Sequence, residues 1–189
     1  SDGEILAYAS DESAADASAT EFKRFMRKLT TMIRPENISI VAHSMGTRIV
    51  VDYIESLQDR DIDADGFRFA NFVFAASDIS RDKFERVQAS NVNPSAPVLA
   101  AYAEQVAVYS SPHDQALLLS ESIHNDARLG RMRPPDLLRY DDIASIDASE
   151  IDPPVRRKRL APRHTYVFDK PEGVWELSSV LKGKVLSDR

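Results

Sequence analysis

The sequence predicts a three-layer α/β/α architecture built on a mostly parallel sheet of about four strands. Short apolar, β-branched segments alternate with amphipathic stretches at helical spacing, the order expected when helices cover both faces of a parallel sheet. The 189 residues fit one domain, expected over 1–189, and are enough to bury a core. Hydrophobic residues at 43% and charged residues at 29% are the balance of a globular chain, and no repeat or low-complexity run interrupts the alternation.

Taken in order, residues Ser10 to Ile33 read as a helix, with Ser10 or Asp11 as its cap and Phe22, Phe25, Met26 and Leu29 at spacings of three and four. Arg34-Pro35-Glu36-Asn37 ends it. Ile38 to His43 is a β-branched strand of the buried type, and Met45 to Leu57 follows at once as a helix with Ile49, Val50, Tyr53, Ile54 and Leu57 inward. Asp59 to Gly66 is an acidic loop. Arg68 to Ala76 is the second strand, and a helix beginning at Ser77 or Ser80 runs to about Gln88. After the break at Asn91-Val92-Asn93-Pro94, a helical stretch from about Ala96 to Glu104 leads into the third strand, Gln105 to Ser110. His113 to Ile123 is helical, Asp142 to Asp147 is the fourth strand and Asp152 to Pro162 a loop. His164 to Lys182 is a helix, or a turn plus helix, ending at Gly183. Right-handed crossovers would lay the strands side by side.

Composition narrows the function. A net charge of −6 and a pI near 5.3 argue against a general nucleic-acid or anionic-membrane role. With no cysteine there is no disulfide, thiolate metal site or cysteine nucleophile. No stretch approaches the ~20 apolar residues of a membrane span. The chain opens on Ser1-Asp2-Gly3 and not on methionine, so a processed form or a fragment is expected, and the compartment is not legible.

The chemistry centres on Ile40-Val41-Ala42-His43-Ser44-Met45-Gly46, where a strand runs straight into a helix. A serine there must occupy a sharp, strained turn that lifts its hydroxyl above the sheet, and the residues two before and two after, Ala42 and Gly46, are both small. The string is an alanine variant of G-x-S-x-G. The helix N-terminus favours developing negative charge, and the Met45 N–H is the expected oxyanion donor.

A serine nucleophile needs a base, and the base needs a carboxylate, in the chain order Ser, Asp or Glu, His. His43 adjoins Ser44 but should point away from it; His113 and His124 flank the helix after the third strand. His164, after the fourth strand, is the expected base. Asp114, just beyond the third strand, is the favoured acid, and Asp78, beyond the second, is the alternative; either could instead cap its own helix.

Several pieces together resemble a bacterial, esterase/lipase-like branch of the α/β-hydrolases, the domain of unknown function 900. They are Ile40 to Arg48, Phe74-Ala75-Ala76-Ser77-Asp78-Ile79, Val108 to Leu117, Ile146-Asp147-Ala148-Ser149 and His164-Thr165-Tyr166. The resemblance spans nearly the whole chain and implies the set Ser44, Asp114 and His164, with the chain as the C-terminal part of the fold. It also implies a preceding segment with further strands and a His-Gly-Tyr-like loop that gives a second oxyanion N–H. Residues 1–34 hold no histidine and one glycine, Gly3. Two expectations follow: the strand at Ile38 to His43 becomes an exposed edge, and the chain alone is weak or inactive, since losing one oxyanion donor costs ~10²–10³ in turnover.

The expected activity is hydrolysis of carboxylic esters or related acyl substrates, with a small-molecule substrate as partner, no nucleic acid, and no cofactor or metal. The alternatives are a non-catalytic binding module on the same fold, or an acyltransferase or amidase. Arg156-Arg157-Lys158-Arg159 reads as a solvated loop. Tyr140-Asp141-Asp142 and Asp61 to Gly66 resemble cation sites superficially, and the second lacks the far glutamate of a calcium loop.

Overall fold

The computed structural model describes residues 2–58, 67–89, 98–153 and 164–183. The acidic loop at 59–66, the break around 91–94, the start of the helix at Ala96 and the basic run Arg156–Arg159 lie outside them.

Helix α1 (Asp2–Met32) comes first, then a 3-10 turn (Pro35–Asn37), strand β1 (Ser39–His43) and helix α2 (Gly46–Gln58). Strand β2 (Phe69–Ala75) precedes α3 (Arg81–Ala89); the short α4 (Val98–Tyr102) enters β3 (Ala103–Ser110), followed by α5 (Gln115–His124). Strand β4 (Ile143–Asp147), α6 (Tyr166–Asp169) and α7 (Pro171–Leu181) complete the order. The strands form one parallel sheet in the order β1-β2-β3-β4. His43 pairs with Ala75, Ala75 with Tyr109, and Ser110 with Asp147, so the C-terminal ends of all the strands share one edge.

Strand alternation divides the core in two. Phe72, Phe74, Val106 and Val108 face α1 to α4, packing with Met26, Val50, Ile54, Phe84 and Leu99. Val73, Ala75, Ala107 and Tyr109 face the other way, against Tyr166, Val167 and Val180 of α6 and α7. The period of two thus gives each face its own cover, as a three-layer fold requires. Phe72 and Phe74 are almost wholly buried, and truncating either to alanine would cost about 3–5 kcal/mol.

Three expectations need correction. Helix α1 begins well before Ser10, so neither Ser10 nor Asp11 caps it. The preceding residues contain no proline, and Tyr8 is anchored to Asp78 and Ser120, a tertiary tie that overrides the local capping signal. Phe25 is 57% exposed because the buried stripe runs through Phe22, Met26 and Leu29. The stretch before β3 is helical as far as Tyr102; Ala103 already pairs with Phe69 in the sheet. The edge expectation for β1 agrees with the topology: it is terminal in the described sheet, and Val41 is 38% exposed.

Candidate active site

Strand β1 ends at His43 and α2 starts at Gly46, leaving Ser44 and Met45 to make the turn. Ser44 has φ 54°, a left-handed conformation that costs a non-glycine residue about 1–3 kcal/mol and persists only where its surroundings impose it. Its N–H donates to the Ala75 carbonyl (3.1 Å), and its own carbonyl accepts from the N–H groups of Asp78 (3.0 Å) and Thr47 (3.2 Å). The Met45 N–H, at the head of α2, has no hydrogen-bond partner among the described residues. Ala42 is 4% exposed, as crowding beneath the turn predicts; a Cβ added at Gly46, however, would meet nothing within 4 Å, so no described residue demands glycine there.

His164 lies in the segment just before α6. Its Nδ1–H donates to Oδ2 of Asp114 over 2.8 Å. Asp114 is fully buried, and its Oδ1 accepts from the Leu117 N–H at 3.0 Å, capping α5. The two roles weighed for Asp114 in the sequence are therefore geometrically compatible, one on each carboxylate oxygen. With Nδ1 committed to Asp114, Nε2 of His164 is the nitrogen left to face a substrate or hydroxyl.

His43 brings Ser44 and His164 into one neighbourhood. Its Nε2–H donates to the His164 backbone carbonyl (2.8 Å), and the two rings lie 4.6 Å apart. Phe168 also packs on His43, the two rings nearly perpendicular at 5.4 Å. Burial lowers the His43 pKa from its ordinary value, more strongly than the bond to the His164 carbonyl raises it. Local sequence assigns this residue no role beside Ser44, because its partners lie 121 or more residues away.

A second tier supports the acid. Ser111 Oγ donates to Oδ2 of Asp152 (2.6 Å) and accepts from the His113 N–H (3.1 Å), while His113 Nδ1–H donates to the Asp152 carbonyl (2.7 Å). These bonds join the loop carrying Asp114 to the loop after β4. Tyr166 lies behind, and burial, with the nearby charges of Asp114 and Asp152, pushes its phenol well above the usual value.

Asp78, the alternative acid, is not beside His164. Its carboxylate, 2% exposed, accepts from Tyr8 Oη on Oδ2 (2.6 Å) and Ser120 Oγ on Oδ1 (2.6 Å). Arg48 and Arg128 approach Oδ1 to 3.7 and 3.4 Å as ion pairs, although the Arg128 Nε direction is too poor for a hydrogen bond. Glu12 binds the Arg48 guanidinium, and His124 Nε2 lies 3.2 Å from Tyr8 Oη. Local sequence could not foretell this cluster, because its members come from four separate parts of the chain.

Among the described residues no group of three or more His, Asp or Glu side chains could hold a metal, and no helix is long and apolar enough to cross a membrane. A cleft of about 330 Å³ lined by Arg68, Ala103, Gln105 and Ile143 opens at the starts of β3 and β4, the edge opposite Ser44.

A parallel sheet with helices on both faces, carrying a left-handed serine between strand and helix, defines the α/β-hydrolase class. The chain matches the family described as alpha/beta hydrolase of unknown function (DUF900) over residues 1–172 and belongs to it. No curated protein and no solved structure matches the chain.

Proposed function

We propose that the protein is a serine hydrolase acting on carboxylic esters or related acyl substrates, with Ser44 as nucleophile, His164 as base and Asp114 as the carboxylate that orients it. The observation that carries this reading is the 2.8 Å bond from His164 Nδ1 to a fully buried Asp114, with the His164 carbonyl bonded to His43, the residue before a serine at φ 54°. A buried carboxylate on Nδ1 fixes the tautomer in which Nε2 can accept the serine proton. Ser44 Oγ attacks the acyl carbonyl as its proton passes to Nε2, and the developing oxyanion meets the Met45 N–H. His164 then protonates the leaving alkoxide. Water, activated by the same nitrogen, releases the acid and restores Ser44.

The test is covalent labelling with a fluorophosphonate probe alongside hydrolysis of short p-nitrophenyl esters. Labelling at Ser44, abolished by Ser44→Ala and strongly slowed by His164→Ala, is expected. A folded protein whose Ser44 takes no label would overturn the proposal.

A further inference from the structure

The Ser44 carbonyl and the Met45 N–H belong to one peptide group. A trans peptide is planar, and its C=O and N–H point in opposite directions. Whatever grips the Ser44 carbonyl therefore also sets the direction of the Met45 N–H. The grip comes from Asp78, whose N–H donates to that carbonyl at 3.0 Å, assisted by the Thr47 N–H at 3.2 Å. Asp78 also accepts on its own carbonyl from Arg48 Nε at 2.7 Å. One residue at the end of β2 thus holds both ends of the segment from Ser44 to Arg48. A further bond, Thr47 Oγ1 to Ser77 Oγ at 3.0 Å, ties the middle.

The side chains on this clamp are themselves fixed. Arg48 is held by Glu12, and its second terminal nitrogen donates to Tyr8 Oη at 3.1 Å. Tyr8 in turn donates to the Asp78 carboxylate, which Ser120 also engages. Burial opposes the Arg48 charge, and the surrounding Glu12, Tyr8 and Asp78 outweigh it. A buried carboxyl group and a largely buried guanidinium thus lie close behind the turn, an arrangement expensive to build for packing alone.

We infer that Asp78 and Arg48 are positioning residues for the oxyanion donor: they orient the Ser44–Met45 peptide so that the Met45 N–H faces the reacting acyl group. This deepens the hydrolase reading and rests on it. Hydrogen bonding at the carbonyl also polarises the N–H of the same peptide, strengthening it as a donor. Neither side chain touches substrate. Their effect should appear where charge develops, in turnover and in affinity for a boronate that mimics the tetrahedral adduct, and not in ground-state binding.

Arg48→Lys keeps the charge and removes the Nε–H that holds the Asp78 carbonyl. Since losing an oxyanion donor outright costs ~10²–10³, its partial misdirection should lower kcat by about 10- to 100-fold. KM should stay near wild type, and affinity for a phenylboronic acid should fall with kcat. Tyr8→Phe, a gentler change, should show the same pattern at smaller size and serves if Arg48→Lys does not fold. Lys83→Met, which breaks a surface pair with Asp52 away from the turn, is the control. Amide hydrogen exchange at Thr47 and Asp78, whose N–H groups share the Ser44 carbonyl, should quicken in Arg48→Lys and not in the control. That readout needs no activity, so it tests the clamp even if Ser44 takes no fluorophosphonate label and the hydrolase reading fails. Unchanged exchange at both amides, or equal losses in kcat and in ester affinity, would overturn the inference.

Discussion

The His43 ring, one residue before Ser44, donates from Nε2 to the main-chain carbonyl of His164 across 2.8 Å. His164 is therefore fastened twice: its side chain by Asp114 and its backbone by the neighbour of the proposed nucleophile. Replacing His43 by Phe keeps a ring against Phe168 and deletes the donor. Because small misplacements of a reacting group are costly, kcat for p-nitrophenyl acetate should fall about 10- to 100-fold with KM little changed. His43→Asn, which retains an N–H donor, should recover part of the loss.

The same residue predicts a pH dependence of stability. Burial lowers the His43 pKa in the folded protein below its ordinary 6.5, so between those two values the unfolded chain binds more protons than the folded one. Stability is then fully present above about pH 6.5, falls as the pH drops towards the lowered value, and levels off below it. Thermal melts from pH 7.5 down to 5 should show Tm falling through this window. His43→Asn should fall less steeply; parallel curves would count against the assignment.

Asp114 serves α5 with one oxygen and His164 with the other. Asparagine caps helices about as well as aspartate but cannot stabilise an imidazolium. Asp114→Asn should therefore leave Tm close to wild type while reducing kcat on the order of 10³–10⁴. Asp114→Ala loses the cap as well and should cost about a further 1 kcal/mol in urea unfolding. If Asp114→Asn retained most of its turnover, the proposed role of this carboxylate would be wrong.

Much of the fold could be read in the sequence because its signals are local. A run such as Phe72-Val73-Phe74-Ala75 can satisfy its backbone and both faces only inside a sheet, and a serine between strand and helix marks the turn. What escaped notice depends on contacts between distant residues. Arg48 falls inside the expected second helix and Tyr8 before the expected start of the first, and the partners of both are on other elements. Asp78 and Asp114 are each an aspartate following a strand, and the sequence favours Asp114 only by its place after the third. They separate only in space, where one meets His164 and the other two arginines.

Gly130 carries a requirement that sequence does not announce. A Cβ there would lie 2.2 Å from the Ser77 nitrogen and 2.4 Å from the Ala76 carbonyl carbon, both backbone atoms. Its N–H donates to the Ser77 carbonyl, and its carbonyl accepts from the Ser111 N–H, each at 2.9 Å. Gly130→Ala must push apart the ends of β2 and β3. A loss of about 1–3 kcal/mol is expected in denaturant unfolding, with fluorophosphonate labelling slowed as the clamp at Asp78 shifts.

Among the described residues no strand pairs with the outer side of β1, and Val41 is partly exposed. Exposed apolar edges invite strand addition between copies, and lysine on an edge discourages it. Val41→Lys should reduce concentration-dependent association in sedimentation or light scattering, with little change in Tm.

That edge position bears on how the protein fails. A residue with a demanding backbone, Ser44, sits at the end of a strand with a single neighbour in the described sheet. Outer strands fray at lower free energy than inner ones, so the Ser44 turn should be among the first parts to open, while β2 and β3 remain zipped. Warming or mild urea should then silence the serine well before far-UV dichroism registers any loss of helix. The protein would pass through a form that is folded by every bulk measure and chemically mute.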